Sequence, residues 1–384
     1  MNFETVNLKD LCSVITKGTT PSNIGETFTE QGIKYIRSEM LTSSKYVSGE
    51  FLHISPETHK KLKRSQLQEG DILFSMAGAY LGKTAILRAE DVPANTNQAA
   101  ALIRVDTEKC NNEYVYYFLN IPEVVKTANT VQSQSAQPNI NLKQIGMLKI
   151  SLPNEISQIK IVQILSNYDN LIENNQKQIK LLEEAAQRLY KEWFVDLHFP
   201  GYEDVRIVDG VPVSWKKVSL KEIAPIVTGK KDANFGTENG QYMFFTCAQE
   251  PIKAPSYSFD CDAVILAGNG DFNVKLFRGK FEAYQRTYVF SPYDSNNLYL
   301  LYYTVKDNMR QLFQGASGST IKFLTKRMLE EIMIHIPDKN TLKTFTKYCE
   351  SYQKKIEILK QQITVAKESR DRLLPKLMSG EIEV

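Results

Sequence analysis

The residues best suited to chemistry in this sequence are polar side chains in loops, of the types that hydrogen-bond phosphate oxygens and base edges. Lysine and arginine donate to phosphates, whereas asparagine, glutamine, serine and threonine pair with bases or with the sugar-phosphate backbone. For any single one, the alternative interpretation is an ordinary solvated loop residue. The candidates are Lys17, Thr19, Thr20, Arg37, Tyr80, Lys83, Asn97, Gln98, Ser133, Ser135, Lys230, Lys231, Gln285, Arg286, Ser317, Ser319 and Lys322.

A binding role for these candidates is supported by their recurrence at similar places in the two halves of the chain. The Thr/Gly/Lys loop at 16–20 is matched by 228–231, and Asn97-Gln98 is aligned with Gln285-Arg286. A Gln/Ser run at 132–135 and a Gly/Ser run at 315–319 both precede a closing strand. Polar loops that are repeated with variation indicate two related binding surfaces.

Signatures of catalysis are missing from the sequence. Gly268-Asn269-Gly270 lacks the third glycine of a dinucleotide-binding motif and indicates a turn. There is no G-x-x-x-x-G-K-[ST], H-E-x-x-H or G-x-S-x-G motif. The scattered histidines and the absence of a C-x-x-C pair argue against a metal site and a disulfide framework. We expect no catalytic residue, no metal and no cofactor bound by this chain, and a cryptic nuclease or methyltransferase site stays as an alternative.

Composition and charge further restrict the possible classes of protein. The 384 residues are 42% hydrophobic and 24% charged, which is ordinary for a soluble globular protein. No signal sequence and no run near 18 apolar residues is present, so we expect a cytoplasmic protein with no membrane partner. The net charge is +3, and no segment is strongly basic: the charges are +1 for 1–152, −2 for 153–196, +1 for 197–336 and +3 for 337–384.

The elements that must position the loops are also duplicated. Residues from 153 to the end of the first half match residues from 337 onward at an offset of 184, and the segment at 3–11 matches 215–223 at an offset of 212. Strands are predicted at 71–76 and 263–267, and apolar helices at 112–119 and 297–303. The sequence therefore predicts a globular domain (1–152), a helix (153–196), a second globular domain (197–336) and a second helix (337–384).

The helices carry heptad-like apolar stripes that predict a packed pair. Asn154 is the expected N-cap of the first helix, and Pro375 and Gly380 are expected to limit the second. Asn175 lies on the stripe, either as a solvated residue or as a buried amide that fixes the register. The predicted packing residues are Ile161, Ile164, Tyr168, Ile172, Ile179, Leu182, Leu189, Trp193, Phe345, Tyr348, Tyr352, Ile356, Leu359, Ile363, Leu373 and Leu377.

Two variable globules, each followed by a long helix, resemble the specificity subunit of type I restriction–modification systems. The stretches that carry the resemblance are 165–194 (LSNYDNLIENNQKQIKLLEEAAQRLYKEWF), 369–384 (SRDRLLPKLMSGEIEV) and 211–215 (VPVSW). The resemblance covers the whole chain, strongly in the helices and weakly in the globules.

The resemblance implies an α/β (α+β) fold of two pseudo-repeated target recognition domains and two long helices that form an antiparallel coiled coil. Each domain would read one half of a bipartite, asymmetric site on double-stranded DNA, and the coiled coil would set the gap. The chain would be non-catalytic and would recruit two adenine methyltransferase (modification) subunits and the restriction/translocase subunits. S-adenosylmethionine, ATP and Mg are implied for those partner subunits only. The alternative is a coiled-coil protein-interaction scaffold without base readout.

Overall fold

The computed structural model describes residues 3–130, 139–318 and 322–384. The chain divides into two compact units. Unit 1 comprises Met1–Gln176 and Lys360–Val384, and unit 2 comprises Lys177–Leu359. Each unit contains sheets, short helices and a segment of each of the two long helices, so the predicted mixed α/β fold class with a helical pair is confirmed.

Unit 1 is built on two four-stranded sheets and a two-stranded ribbon. The strand orders are β2-β9-β6-β7, β4-β3-β8-β5 and β1-β10, and every pairing is antiparallel except β3 with β8. The strands are β1 (Glu4–Asn7), β2 (Cys12–Lys17), β3 (Ile33–Ile36), β4 (Leu52–Ile54), β5 (Gln66–Leu67), β6 (Ile72–Ser75), β7 (Thr84–Ile86), β8 (Ala94–Thr96), β9 (Ala100–Val105) and β10 (Lys149–Leu152). The helices are α1 (Pro56–Lys61), α2 (Asn112–Leu119), α3 (Pro122–Thr130), α4 (Leu142–Gly146) and the first part of α5 (Glu155–Tyr190).

Unit 2 carries a single six-stranded sheet, in the order β14-β19-β17-β18-β15-β16, with β15 and β18 parallel. A ribbon of β13 and β20 and a hairpin of β11 and β12 accompany it. The strands are β11 (Ile207–Val208), β12 (Val211–Pro212), β13 (Lys216–Ser219), β14 (Ile226–Thr228), β15 (Tyr242–Phe245), β16 (Ile252–Ala254), β17 (Phe259–Ala267), β18 (Val274–Ala283), β19 (Thr287–Phe290) and β20 (Met333–Ile336). The helices are α6 (Leu220–Ile223), α7 (Leu298–Asp307), α8 (Met309–Gly315), α9 (Lys326–Glu330) and the first part of α10 (Lys339–Ser379).

The two units repeat one sheet plan, interrupted in unit 1. Strand β18 runs unbroken in unit 2, whereas its counterpart in unit 1 is split into β7 and β8. The split follows from extra chain: Ile86 and Ala94 are eight positions apart, and the corresponding residues Leu276 and Phe281 are five apart. The added residues interrupt the backbone hydrogen bonding of this strand in unit 1. The single six-stranded sheet of unit 2 therefore corresponds to two separate sheets in unit 1.

The ribbons confirm the sequence alignment of the repeat. Val6 pairs with Ile150 in unit 1, and Val218 pairs with Ile334 in unit 2, which reproduces the offsets of 212 and 184. The first offset does not persist along the chain, however. A bulge between Cys12 and Val14 adds one residue to β2, so the offset falls by one from there onward.

In unit 1 the long helices run antiparallel, because Asp169 and Asn175 of α5 pair with Arg370 and Gln362 of α10 in reversed order. Asn154 caps α5 as predicted, since its side-chain oxygen accepts from the Ser157 amide at 2.9 Å. The expectation that Pro375 limits α10 is wrong. Helix α10 passes through Pro375 and ends before Gly380, whose φ of 77° is left-handed.

The apolar core of unit 1 joins the helix pair to the sheet. Ile161 and Leu165 of α5 and Leu377 of α10 are buried with β6, β9 and α2. In unit 2 the equivalent junction is aromatic. Trp193, in a single π-helical turn after α5, lies 6.1 Å from the ring of Phe345 in α10. Side chains of this size each bury large apolar areas and dominate the packing energy.

Candidate nucleic-acid interface

Two glycines bring the candidate loops of each unit together. Gly18 follows β2, and a Cβ atom there would lie 1.7 Å from the Thr96 carbonyl oxygen. Gly229 follows β14, and a Cβ atom there would lie 1.9 Å from the Ala283 carbonyl oxygen. No side chain fits at either place, so only glycine lets the backbones approach this closely. We call residues 17–20 and 228–231 the glycine loops.

Each glycine loop touches a β-turn. Turn 1 is Asn97–Ala100, in which the Ala100 amide donates to the Asn97 carbonyl at 3.4 Å. Turn 2 is Tyr284–Thr287, in which the Thr287 amide donates to the Tyr284 carbonyl at 2.8 Å. The alignment of Asn97-Gln98 with Gln285-Arg286 is therefore wrong by one position. Counted from the first residue of each turn, Gln98 corresponds to Gln285.

In unit 1 the glycine loop and turn 1 place several predicted residues side by side. The Thr20 hydroxyl donates to the Gln98 side-chain oxygen, and the Tyr35 hydroxyl donates to the Thr19 carbonyl at 3.0 Å. Lys17 and Gln98 are exposed, and Thr19 is half-buried. Arg64, which the sequence analysis missed, donates to the Thr19 hydroxyl at 3.4 Å. Arg64 lies in a short 3-10 turn, and nothing in its local sequence marks it.

Polar atoms lie buried beneath this surface. Within the part of the chain that the structure describes, Arg37 Nε, Ser75 Oγ, Thr96 Oγ1 and Asn97 Oδ1 are buried and have no hydrogen-bond partner. Arg37 directly follows β3, whose last residue is paired with Thr96. An unsatisfied buried polar group costs about 1–3 kcal/mol. The fold therefore leaves these four buried polar atoms without a protein partner.

Two candidates of unit 1 lie apart from this cluster. Tyr80 is exposed in the connection between β6 and β7. Lys83 lines a cavity of about 240 Å³ together with Asn120 and Arg370, on the side of the sheet that faces α10. The structure therefore does not bring Lys83 to the glycine loop. Ser133, Ser135 and Ser319 lie outside the described residues.

In unit 2 the glycine loop and turn 2 are joined by backbone and side-chain bonds. The Gln285 amide donates to the Lys231 carbonyl at 2.9 Å, and Gln285 Nε2 donates to Asp232 Oδ1 at 2.8 Å. The Lys231 ammonium lies 4.4 Å from the centre of the Phe235 ring. Lys230 and Arg286 are exposed. Four predicted residues therefore share one surface.

The remaining candidates of unit 2 lie at the edge of that surface. Ser317 and Phe323 exchange both backbone hydrogen bonds. Lys322 directs its ammonium to the Phe313 carbonyl at 3.4 Å and lies over the Phe313 ring. A further basic residue, Lys275, donates to the Ala248 carbonyl at 2.9 Å. Burial lowers the pKa of Lys275. Lys275 was not among the predicted residues, because it belongs to strand β18 and no loop pattern marks it.

The predicted packing residues of the helices are mostly removed from solvent. Tyr348 is the exception because 47% of it is exposed, although its ring meets Trp193 edge-on at 6.2 Å. The buried members are Ile161, Ile172, Trp193, Phe345, Ile356, Leu359 and Leu377. The half-buried members are Ile164, Tyr168, Ile179, Leu182, Leu189, Tyr352, Ile363 and Leu373.

The helix pair of unit 1 also contains a buried polar network. Asn175 is 2% exposed and donates to the Gln362 side chain at 3.1 Å, which favours the buried-amide interpretation. Arg370 forms an ion pair with Asp169 at 2.6 Å, and the Tyr117 hydroxyl donates to the other Asp169 oxygen at 2.6 Å. Burial and the neighbouring Asp169 raise the pKa of Tyr117.

The described residues offer no metal centre and no membrane segment. Within residues 3–130, 139–318 and 322–384, no group of three or more His, Cys, Asp or Glu side chains could hold a metal ion. The five cysteines are free thiols. Among the helices of the same ranges, none is long and apolar enough to cross a membrane.

A sheet, a glycine loop and a turn recur in both units, and each unit includes a segment of both long helices, so the chain belongs to the class of proteins built from two repeated domains. The sequence matches the family model of the type I restriction modification DNA specificity domain over residues 1–184 and 212–368. That is most of the chain, and the chain belongs to this family.

Individual relatives agree. The chain is 37% identical to the type I restriction enzyme EcoDI specificity subunit of Escherichia coli over 179 residues, which cover 45% of this chain and 39% of that one. It is 25% identical to the MjaIX specificity subunit of Methanocaldococcus jannaschii over 415 residues, covering 100% and 94%. The crystal structure of the type I S subunit from M. genitalium shares the fold, with a TM-score of 0.58, 16% identity and coverage of 98% and 96%.

Proposed function

We propose that this chain is the non-catalytic DNA-reading subunit of a type I restriction–modification complex. Each unit reads one half of a bipartite, asymmetric site in double-stranded DNA, through its glycine loop and its turn. The observation that carries the proposal is the duplication of one hydrogen-bonded turn that presents exposed polar side chains, Gln98 in unit 1 and Gln285 with Arg286 in unit 2. Residues of these types read base edges in the major groove.

Two half-sites multiply selectivity. Each mismatched base pair costs about 1–3 kcal/mol, roughly additively for well-separated positions. Two domains on one chain also raise the effective concentration of the second domain once the first has docked. The helices α5 and α10 set the gap between the half-sites in this proposal, and the buried Asn175–Gln362 bond supports a fixed register between them.

The partners supply the chemistry and much of the affinity. The chain recruits two adenine methyltransferase subunits, which use S-adenosylmethionine, and restriction/translocase subunits, which use ATP and Mg. It acts with them in the cytoplasm. Non-specific affinity for DNA increases with the number of phosphates that Lys and Arg neutralise. With a net charge of +3, we expect the chain alone to bind the DNA backbone weakly.

The test is modification-sensitive sequencing of a host that lacks other adenine methyltransferases. The host expresses the methyltransferase subunits with or without this chain. The expected result is a bipartite methyladenine motif that requires the chain. Methylation without sequence preference would instead support the scaffold alternative, and methylation independent of the chain would refute the proposal.

Single substitutions then assign the half-sites. Gln98→Ala is expected to relax base preference in one half of the motif, and Gln285→Ala in the other. Gln314→Ala is the matched control, because Gln314 is an exposed glutamine of α8 outside the glycine loop and turn 2. Relaxation of both halves by one substitution would contradict the assignment of one half-site to each unit.

A further inference from the structure

The two turns share their backbone bonds but differ in one side chain. In turn 1 the Met76 amide donates to the Ala99 carbonyl at 2.8 Å, and in turn 2 the Gly268 amide donates to the Arg286 carbonyl at 2.9 Å. Ala99 and Arg286 therefore occupy the same place, directly after the matched glutamines. Unit 2 presents a guanidinium where unit 1 presents a methyl group.

The surroundings of Arg286 form a cleft. Its volume is about 200 Å³, and Thr228, Asn269 and Tyr288 contribute to the lining together with Arg286. The strand pairings place Ala101 of unit 1 at the position of Tyr288. The cleft of unit 2 thus combines a cation, hydrogen-bonding groups and an aromatic ring, a combination suited to the edge of a base.

The Arg286 side chain is available for a ligand. It is exposed, and within the described ranges no hydrogen bond or ion pair engages its guanidinium. Among the described residues, the carboxylates of Asp232 and Asp271 accept from Gln285 and from Gln249 (2.6 Å), and neither forms an ion pair with Arg286. Its backbone is anchored through Gly268, so binding has to order only the side chain.

A guanidinium distinguishes the four bases by their acceptors. It has five N–H donors in a planar fork and no acceptor. In the major groove only guanine presents two adjacent acceptors, O6 and N7, whereas adenine presents one acceptor beside a donor. A guanidinium without an internal partner, lying in such a cleft, can therefore donate to both O6 and N7 of a guanine.

We propose that Arg286 reads a guanine in the half-site bound by unit 2, and that unit 1 reads no guanine from the equivalent place because Ala99 has no donor. This inference rests on the proposed function. It adds a base identity and a difference between the two half-sites, which originates at one turn position.

The test uses the assembled methyltransferase complex and duplexes that vary each position of the methylated motif. Arg286→Ala is expected to lower discrimination for guanine at one position of one half-site by about 5- to 150-fold. The other half-site and the gap are expected to keep their preferences. Arg286→Gln is expected to shift the preference at that position toward adenine, since glutamine pairs with adenine N6 and N7.

Arg206→Ala is the matched control, because Arg206 is an exposed arginine of unit 2 that lies outside the six-stranded sheet. Thermal unfolding of each variant verifies that unit 2 stays folded. Unchanged guanine selectivity in Arg286→Ala overturns the inference and leaves the proposed function standing. Weaker methylation of all sequences alike identifies a phosphate contact and also overturns it. Absence of any chain-dependent motif in the unsubstituted complex refutes the proposed function, and the inference with it.

Discussion

Replacing Arg370 with methionine is expected to destabilise unit 1 more than any surface substitution on the same helix. The Arg370 side chain is 15% exposed and that of Asp169 is 4% exposed, and their nearest atoms are 2.6 Å apart. Burial alone lowers the pKa of Arg370, but Asp169 and Asp371 outweigh it and the pKa is raised. Arg370→Met keeps the apolar stem and leaves the Asp169 carboxylate buried without its cation.

The size of the effect follows from that geometry. Removing one partner of a buried ion pair costs about 3–5 kcal/mol. The Tyr117 hydroxyl still donates to the second Asp169 oxygen, so we expect the lower part of that range, about 3–4 kcal/mol. Unit 1 holds about 200 residues, and in units of this size each kcal/mol shifts Tm by about 2–4 °C. The expected loss is about 6–16 °C.

Differential scanning calorimetry of the full chain measures the effect on the transition of unit 1. Arg372→Met is the control, since Arg372 is exposed on α10 and such substitutions stay within about 0.5 kcal/mol. Adding Asp169→Asn to Arg370→Met removes the stranded charge and is expected to restore part of the loss. A stabilising buried ion pair is refuted if Arg370→Met behaves like Arg372→Met, or if the effects of Arg370→Met and Asp169→Asn add without coupling.

Three further outcomes are expected. Gly229→Ala is expected to destabilise unit 2 by about 1–3 kcal/mol in chemical unfolding, because its Cβ atom overlaps the Ala283 carbonyl, whereas Gly315→Ala, which meets only a methionine methyl group at 3.3 Å, is the tolerated control. Burial raises the pKa of Tyr190 to about 12, so its contribution to stability is full below about pH 10 and is lost as the pH rises toward 12. Absorbance of tyrosinate tests this, and ionisation of Tyr190 at about pH 10 in the folded chain would contradict it. The chain alone is expected to bind DNA weakly in titrations, because a net charge of +3 without a strongly basic segment neutralises few phosphates, and a tight, salt-insensitive complex would oppose that view.

The sequence predicts the fold well where the periodicity is strong. Long apolar stripes lead to α5 and α10, and the matched ribbons at Val6 and Val218 have the offset that the alignment predicts. A single added residue in β2 is invisible in sequence, because a bulge leaves no mark in a short, variable strand. Further length differences between the two halves are equally hard to place, and the alignment matches Asn97 with Gln285 although the backbone hydrogen bonds of the turns show that Gln98 is its counterpart.

Partnerships across the fold are harder to predict. Arg370 interrupts the apolar stripe of α10, and the sequence alone cannot show that Asp169 compensates it 201 residues away. The antiparallel register of the helices decides that pairing, and no local pattern encodes the register. The same limit applies to Arg64, which reaches Thr19 only because the sheets bring distant segments together.

The backbone anchoring of the two turns bears on how such chains acquire new targets. The bonds that close turn 1 and turn 2 use main-chain atoms, so they survive replacement of Gln98, Ala99, Gln285 or Arg286, and only the exposed side-chain bonds of the two glutamines are lost. In the proposed function, mutations at these four positions alter the recognised sequence at little cost to folding. Under the same proposal, populations acquire new specificities without a large loss of stability, and each half-site diversifies independently of the other.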